Sequence, residues 1–408
     1  MGVNVFPAAS GGASYSSQPP ASASSVLLDG QLVTASSITT TVTGTGAPWL
    51  LYANGASGAT ITIAGTPYTV TAGSTVGTSA YTGSQSVSVY PSAVAPATFT
   101  ASTMPSASAW TSVAYGLIGA TPTYVAVQIS STTAAAYSTN GTSWTASTMP
   151  NSSQWLSVTF GNGYFVAVSG GTSGAYSTNG STWTASTMPS SHYWQGVAYG
   201  LISSTNYYVA VQGDVTTAGA YSTNGTSWTA STMPSASAWR GVTFGNGYFV
   251  AVQASSTTAG AYSTNGTTWT ASTMPSSSAW DGVTYGLVGA TPTYVAVAYG
   301  PTTAGAYSTN GTSWTASTMP SSQSWLGVGY GNGYFVAVAG TTTAGAYSTN
   351  GSTWTALTMP SSSYWYSVTY GNGYFVAVQQ SGTTAGAYFL QFPLPVAYGI
   401  YNGATVRA

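Results

Sequence analysis

The chain has 408 residues, with two arginines (Arg240, Arg407), three aspartates (Asp29, Asp214, Asp281), one histidine (His192) and no lysine, glutamate or cysteine; its formal net charge is −1. So few cations leave no footprint for a phosphate backbone, which excludes nucleic-acid binding, and no cluster suits a zinc site or paired-carboxylate hydrolysis. No apolar run reaches the ~18 residues of a membrane helix, so neither membrane insertion nor a metal or other cofactor is expected, and the chain reads as non-enzymatic.

Residues 1–25 are rich in Ser, Ala, Pro and Gly and read as a low-complexity arm. They lack the basic and apolar regions of a signal peptide, and Phe6 stands where a myristoylation motif needs Ser or Thr. Residues 26–95 alternate in β fashion and predict a small β-sandwich-like anchoring domain. Asp29-Gly30 is expected as a hairpin turn between SVLL and QLVTA, and ITIAGTPYTV as a second hairpin.

Residues 96–392 are a repeat array. Met-Pro recurs at Met104, Met149, Met188, Met233, Met274, Met319 and Met359, at spacings of 45, 39, 45, 41, 45 and 40. Each unit holds four strand-like runs rich in Tyr, Val, Phe, Trp and Thr, such as WLGVGYG, GYFVAV, GAYSTN and STWTA from Trp325 onward. Four strands in 40–45 residues predict an all-β fold: a seven-bladed β-propeller of four-stranded blades. The array opens with a lone outer-strand segment at 97–105 and ends at GAYFLQF without a fourth strand. Pairing these two would close the ring and remove its open edges. Residues 393–408 read as a tail.

Turn signals punctuate each unit. Six Asn-Gly pairs, the first Asn140-Gly141, predict two-residue type I′ hairpins between third and fourth strands. GNG, as at 161–163, joins the first two strands in short units, and long units carry an eight-residue loop instead, as in YGLIGATPTY at 115–124.

Internal copies separate scaffold from candidate site. The Trp after each Asn-Gly (Trp144, Trp183, Trp228, Trp269, Trp314, Trp354) is expected to fill space between blades. The seven first-strand tryptophans (Trp110, Trp155, Trp194, Trp239, Trp280, Trp325, Trp365) read as packing with one exposed edge. Variation concentrates in the loop after the second strand and at the residue after each first-strand Trp: Thr111, Leu156, Gln195, Arg240, Asp281, Leu326, Tyr366. Propeller topology puts these loops on one face. The candidate ligand residues there are His192, Tyr193, Gln195, Asp214, Arg240, Asp281 and Tyr299; Arg240 with Asp281 reads equally as a half-exposed ion pair.

YSTNGTSW resembles the Asp-box of bacterial-neuraminidase-type propeller repeats, Ser-x-Asp-x-Gly-x-x-Trp. Aligned on Gly141 and Trp144, Tyr137 stands at the family's Ser and Thr139 at its Asp. The phrase is also similar to propeller repeats in tail and fibre proteins of bacteriophages. Sialidase chemistry in that family uses an arginine triad, a tyrosine with a glutamate, and an aspartate; with no glutamate and Arg240 alone in the array, a sialidase-like glycosidase is disfavoured.

The resemblance and the composition together lead to the expected function: a virion surface protein of tail-fibre or head-fibre type, virion-borne or extracellular. Its propeller would bind a host-surface glycan or protein, residues 1–95 would anchor it to other virion or surface-assembly proteins, and homo-oligomers are compatible. The rival reading is a purely structural decoration or spacer protein, favoured by the near-identity of the blades.

Overall fold

The computed structural model describes residues 25–33, 38–54, 59–71, 75–91, 98–380, 385–390 and 396–402, and within them every regular element is a β-strand. All of the expected N-terminal arm except Ser25 lies outside the described residues. The chain divides into two compact units, residues 1–95 with 391–408, and residues 96–390.

In the first unit β1 (Ser25–Val33), β2 (Ile38–Asn54), β3 (Ala59–Ile63), β4 (Thr66–Val70) and β5 (Thr75–Pro91) share one six-stranded sheet with the strand Val396–Asn402. That last strand lies between β1 and β2, antiparallel to both, so the stretch read as a tail supplies an interior strand. The Asp29-Gly30 hairpin is corrected by the same pairing. β1 runs on through these residues, with a register shift between Asp29 and Gln31, because its partner is the distant chain end and not QLVTA. The second hairpin is present: β3 and β4 meet at Ala64-Gly65, with φ of 48° and 85° as a type I′ turn requires. Alternate residues of β3, Ala59, Ile61 and Ile63, are fully buried beside Trp49, Leu51 and Val70.

The second unit is built from antiparallel repeats. In the fourth, Trp239–Gly245 pairs with Tyr248–Gln253, which pairs with Thr257–Ser263, which pairs with the strand that begins at Thr270. That strand, Thr270–Val288, runs through Met274-Pro275 into the first strand of the next repeat. The second strand is buried from Phe249 to Gln253, as a continuous apolar run implies when both faces are covered. The hydrophobic clusters of this unit draw on adjacent repeats; one joins Trp110, Val113 and Tyr124 of the first repeat with Val376 and Val378 of the seventh.

Turn chemistry departs from expectation in a consistent way. The type I′ turns are the GNG ones: Asn162-Gly163, Asn246-Gly247, Asn332-Gly333 and Asn372-Gly373 all have positive φ at both residues. In the Ser-Thr-Asn-Gly turns only the glycine does, and six residues separate Ser138 from Thr145. There Ser138 Oγ accepts from the N–H groups of Asn140 and Gly141, at 3.3 and 2.9 Å. Asn140 Oδ1 accepts from those of Thr142 and Ser143, both at 2.9 Å. Side chains that mimic backbone partners hold this wider turn closed. Thr139, aligned above with an acidic residue, makes none of these bonds. The eight-residue loops are also corrected: the strands extend and a two-residue turn joins them, as at Gly119-Ala120 between Ile118 and Thr121.

Neighbouring first strands interlock through a glycine beneath an aromatic ring. A Cβ on Gly161 would lie 1.9 Å from the Tyr199 ring, and the relation recurs down the array, ending with Gly371 beneath Tyr115 of the first repeat. β6 (Thr100–Ser102) pairs with the last repeat, Ala101 opposite Ala387.

Candidate functional site

All seven first strands border one cavity of about 580 Å3. Each carries a register shift immediately after its tryptophan, between Trp194 and Gly196 for example and between Trp239 and Gly241. A bulge leaves one residue unpaired and turns its side chain out of the pleat. That residue is Thr111, Leu156, Gln195, Arg240, Asp281, Leu326 or Tyr366, and all seven line the cavity. The tryptophan before it is fully buried and donates its indole N–H to the carbonyl four residues back, as Trp365 does to Ser361 at 3.0 Å. The first-strand tryptophans therefore show no exposed edge and act as anchors for the bulges.

The residue after each bulge residue is small for a geometric reason. A Cβ on Gly241 would lie 2.6 Å from the Asp281 carbonyl oxygen, and one on Gly282 would meet that of Leu326 at the same distance. Where serine stands instead, its hydroxyl links strands: Ser112 Oγ accepts from Val158 N–H at 3.1 Å, and Ser367 Oγ from Val113 N–H at 3.3 Å.

The cavity's electrostatics rest on one pair. Arg240 Nη1 lies 3.3 Å from Asp281 Oδ1, without hydrogen-bond alignment, and the two side chains are 40% and 12% exposed. Burial raises the Asp281 carboxyl to about 6, with Arg240 offsetting only part of the cost. Tyr366 is also raised, first by burial and then by the negative charge of Asp281, and its ring stacks on Tyr364 at 6.1 Å.

The candidate residues do not form one site. Gln195, Arg240 and Asp281 share the cavity, whereas His192, Tyr193 and Asp214 line a second hollow of about 500 Å3 with Ser131, Ser152, Ser153 and Ser191. In it His192 Nδ1 lies 3.0 Å from Asp214 Oδ2, which also accepts from the Tyr193 N–H at 3.1 Å. The two variable loops do come together, since Gly213 N–H donates to the Tyr193 carbonyl and Ala254 N–H to that of Ala238. Tyr299, 46% exposed at the end of Thr291–Tyr299, lines neither hollow. The residues missing from the candidate set are Thr111, Leu156, Leu326 and Tyr366; their signal was the position after the tryptophan, not their polarity. Among the described residues no group of three or more metal-ligating side chains occurs.

No protein-family model matches the chain, and no curated protein matches it in sequence. Solved structures do. A catalytically inactive variant of virginiamycin B lyase from Staphylococcus aureus with quinupristin aligns at TM-score 0.61 and 10% identity, over 74% of this chain and 98% of that one. A streptogramin B lyase gives 0.61 and 11%, over 74% and 97%. YCF48 bound to D1 peptide gives 0.55 and 15%, over 73% and 97%. At such identities the shared property is the fold, and the second unit has a β-propeller fold. The comparison also corrects the reading of the chain as non-enzymatic. That reading rested on missing catalytic sets, yet two of these propellers are lyases, so composition alone does not exclude catalysis on this fold.

Proposed function

We propose that residues 96–390 close into a ring of seven four-stranded blades, and that the cavity on its axis binds a hydroxyl-rich ligand, a surface glycan. Closure is supported by the pairing of β6 with Gly386–Leu390 and by the glycine–aromatic contacts that return from Gly371 to Tyr115. The observation that carries the binding reading is that seven bulges aim the most variable residue of each repeat into one cavity. A scaffold needs no such variation, because the flanking Trp and Gly or Ser are uniform. Gln195, Thr111 and Tyr366 offer amide and hydroxyl edges beside the apolar Leu156 and Leu326, a mixture suited to a sugar's alternating polar and apolar faces.

The wider setting is proposed from the repeat phrase and the composition. The protein is a virion or cell-surface component of fibre type, with the first unit as its attachment to other proteins of the assembly. Its test is a glycan array probed with wild-type protein and with Gln195→Ala and Tyr366→Phe. Losing one hydrogen bond to a ligand costs about 0.5–1.5 kcal/mol, so each variant should bind several-fold more weakly. An array without hits, or hits indifferent to both substitutions, would leave the decoration-protein reading in its place.

A further inference from the structure

We propose that Asn162, Asn246 and Asn372 are sites of spontaneous deamidation in the folded protein, and that the six asparagines of the Ser-Thr-Asn-Gly turns are protected from it. All nine are followed by glycine, the neighbour that least obstructs the reaction, so sequence alone does not separate them. In that reaction the glycine nitrogen, its proton taken by hydroxide, attacks the asparagine Cγ. The Cγ–N bond of the side-chain amide breaks, ammonia leaves and a succinimide remains. Water then opens the ring at either carbonyl, giving aspartate or isoaspartate.

Two requirements follow from this chemistry: a glycine N–H not already committed to an acceptor, and a side-chain amide able to turn toward it. The six protected turns meet neither. Gly141, Gly180, Gly225, Gly266, Gly311 and Gly351 each donate their N–H to the serine hydroxyl three residues earlier, at 2.8–2.9 Å and buried. Each asparagine Oδ1 is meanwhile fixed by two backbone N–H groups, as at Asn179 by Ser181 and Thr182. A committed N–H points its hydrogen and its incipient lone pair away from Cγ.

Three of the four GNG turns meet both. Asn162, Asn246 and Asn372 are exposed, and among the described residues neither their side-chain amides nor the N–H groups of Gly163, Gly247 and Gly373 have hydrogen-bond partners. The contact of Tyr115 with Asn372 is a hydrogen bond to its backbone. Three events would add three negative charges and take the formal net charge from −1 to −4. Isoaspartate would also insert a methylene into a two-residue turn whose φ angles leave no slack.

The test is peptide mapping by mass spectrometry after incubation at mildly alkaline pH, with a chymotryptic digest because the chain lacks lysine. Native protein should accumulate aspartate and isoaspartate at 162, 246 and 372 several-fold faster than at 140, 179, 224, 265, 310 and 350. In denaturant the nine rates should converge. Ser177→Ala, which frees the Gly180 N–H, should raise the rate at Asn179 and leave Asn162 unchanged. Native rates that are equal at all nine positions would overturn the proposal. So would silence at the three turns in native protein that reacts normally when denatured, or an Asn179 still inert in folded Ser177→Ala.

Discussion

At the scale of residues, the carboxyl of Asp281 shows which effect wins inside the cavity. The one cation beside it among the described residues, Arg240, is 3.3 Å away and poorly aligned, so desolvation dominates and the group is raised from 3.8 to about 6. A carboxyl whose folded value lies above its unfolded one keeps its proton longer in the native state. Stability therefore falls as pH rises from about 4 to about 6, and levels off above that window. Asp281→Asn should erase this slope, so the stability difference between variant and wild type should grow from pH about 4 to about 6 and level off above it. Above pH ~6.5 the variant should melt a few degrees higher, corresponding to about 1–3 kcal/mol. A variant that is less stable than wild type at neutral pH would show instead that the ion pair, and not desolvation, governs the site.

At the scale of elements, the first hairpin of the short repeats carries two glycines that do different things. Gly163 has φ of 81° with nothing within 4 Å of a Cβ, so Gly163→Ala carries only the backbone penalty, about 1–2 kcal/mol. Gly161 has no such dihedral, but a Cβ there would overlap the Tyr199 ring at 1.9 Å. Gly161→Ala must push neighbouring strands apart and should cost more, about 3 kcal/mol or above. Denaturant unfolding of the two variants distinguishes a local turn from a contact between repeats; equal costs would contradict the interlocking role assigned to Gly161. The bulge after each tryptophan belongs to the same scale. An invariant, fully buried Trp fixes the strand on one side while the unpaired residue beside it is free to vary.

At the scale of the molecule, β6 is a short strand with a large role. It gives Gly386–Leu390 its partner and brings Phe99 and Met104 into two clusters of the last and first repeats. Residues 96–390 expressed alone should unfold cooperatively as a monomer, whereas residues 106–390 should lose several kcal/mol, from burial of Phe99 and Met104, and self-associate through the bared edge. Sedimentation and thermal melting of the two chains check this. A shorter chain that stays monomeric with an unchanged melting temperature would refute ring closure through this strand.

Much of the architecture was legible because the signals are local and repeated. Tyr-Val-Ala-Val and Phe-Val-Ala-Val runs at a 40–45 residue period leave little but four-stranded repeats, and Asn-Gly and Gly-Asn-Gly mark where strands end. Which of these turns is type I′ was not legible. The choice depends on whether the preceding Ser hydroxyl can satisfy two backbone N–H groups, as Ser138 does and Gly161 does not. The candidate site was half legible: the position after the tryptophan could be seen to vary, but its convergence on one cavity required the bulge. His192 and Asp214 fall with Arg240 and Asp281 in sequence, yet they line a different hollow. The sequence by itself determined strand content, repeat length and the identity of the anchors, because these follow from side-chain shape over a few residues. Tertiary structure alone decided that Val396–Asn402 enters the first sheet, that Gly371 meets Tyr115, and that seven bulge residues face one another. Those outcomes are contacts between distant segments, selected by which backbone edges remain unpaired, and no local pattern encodes them.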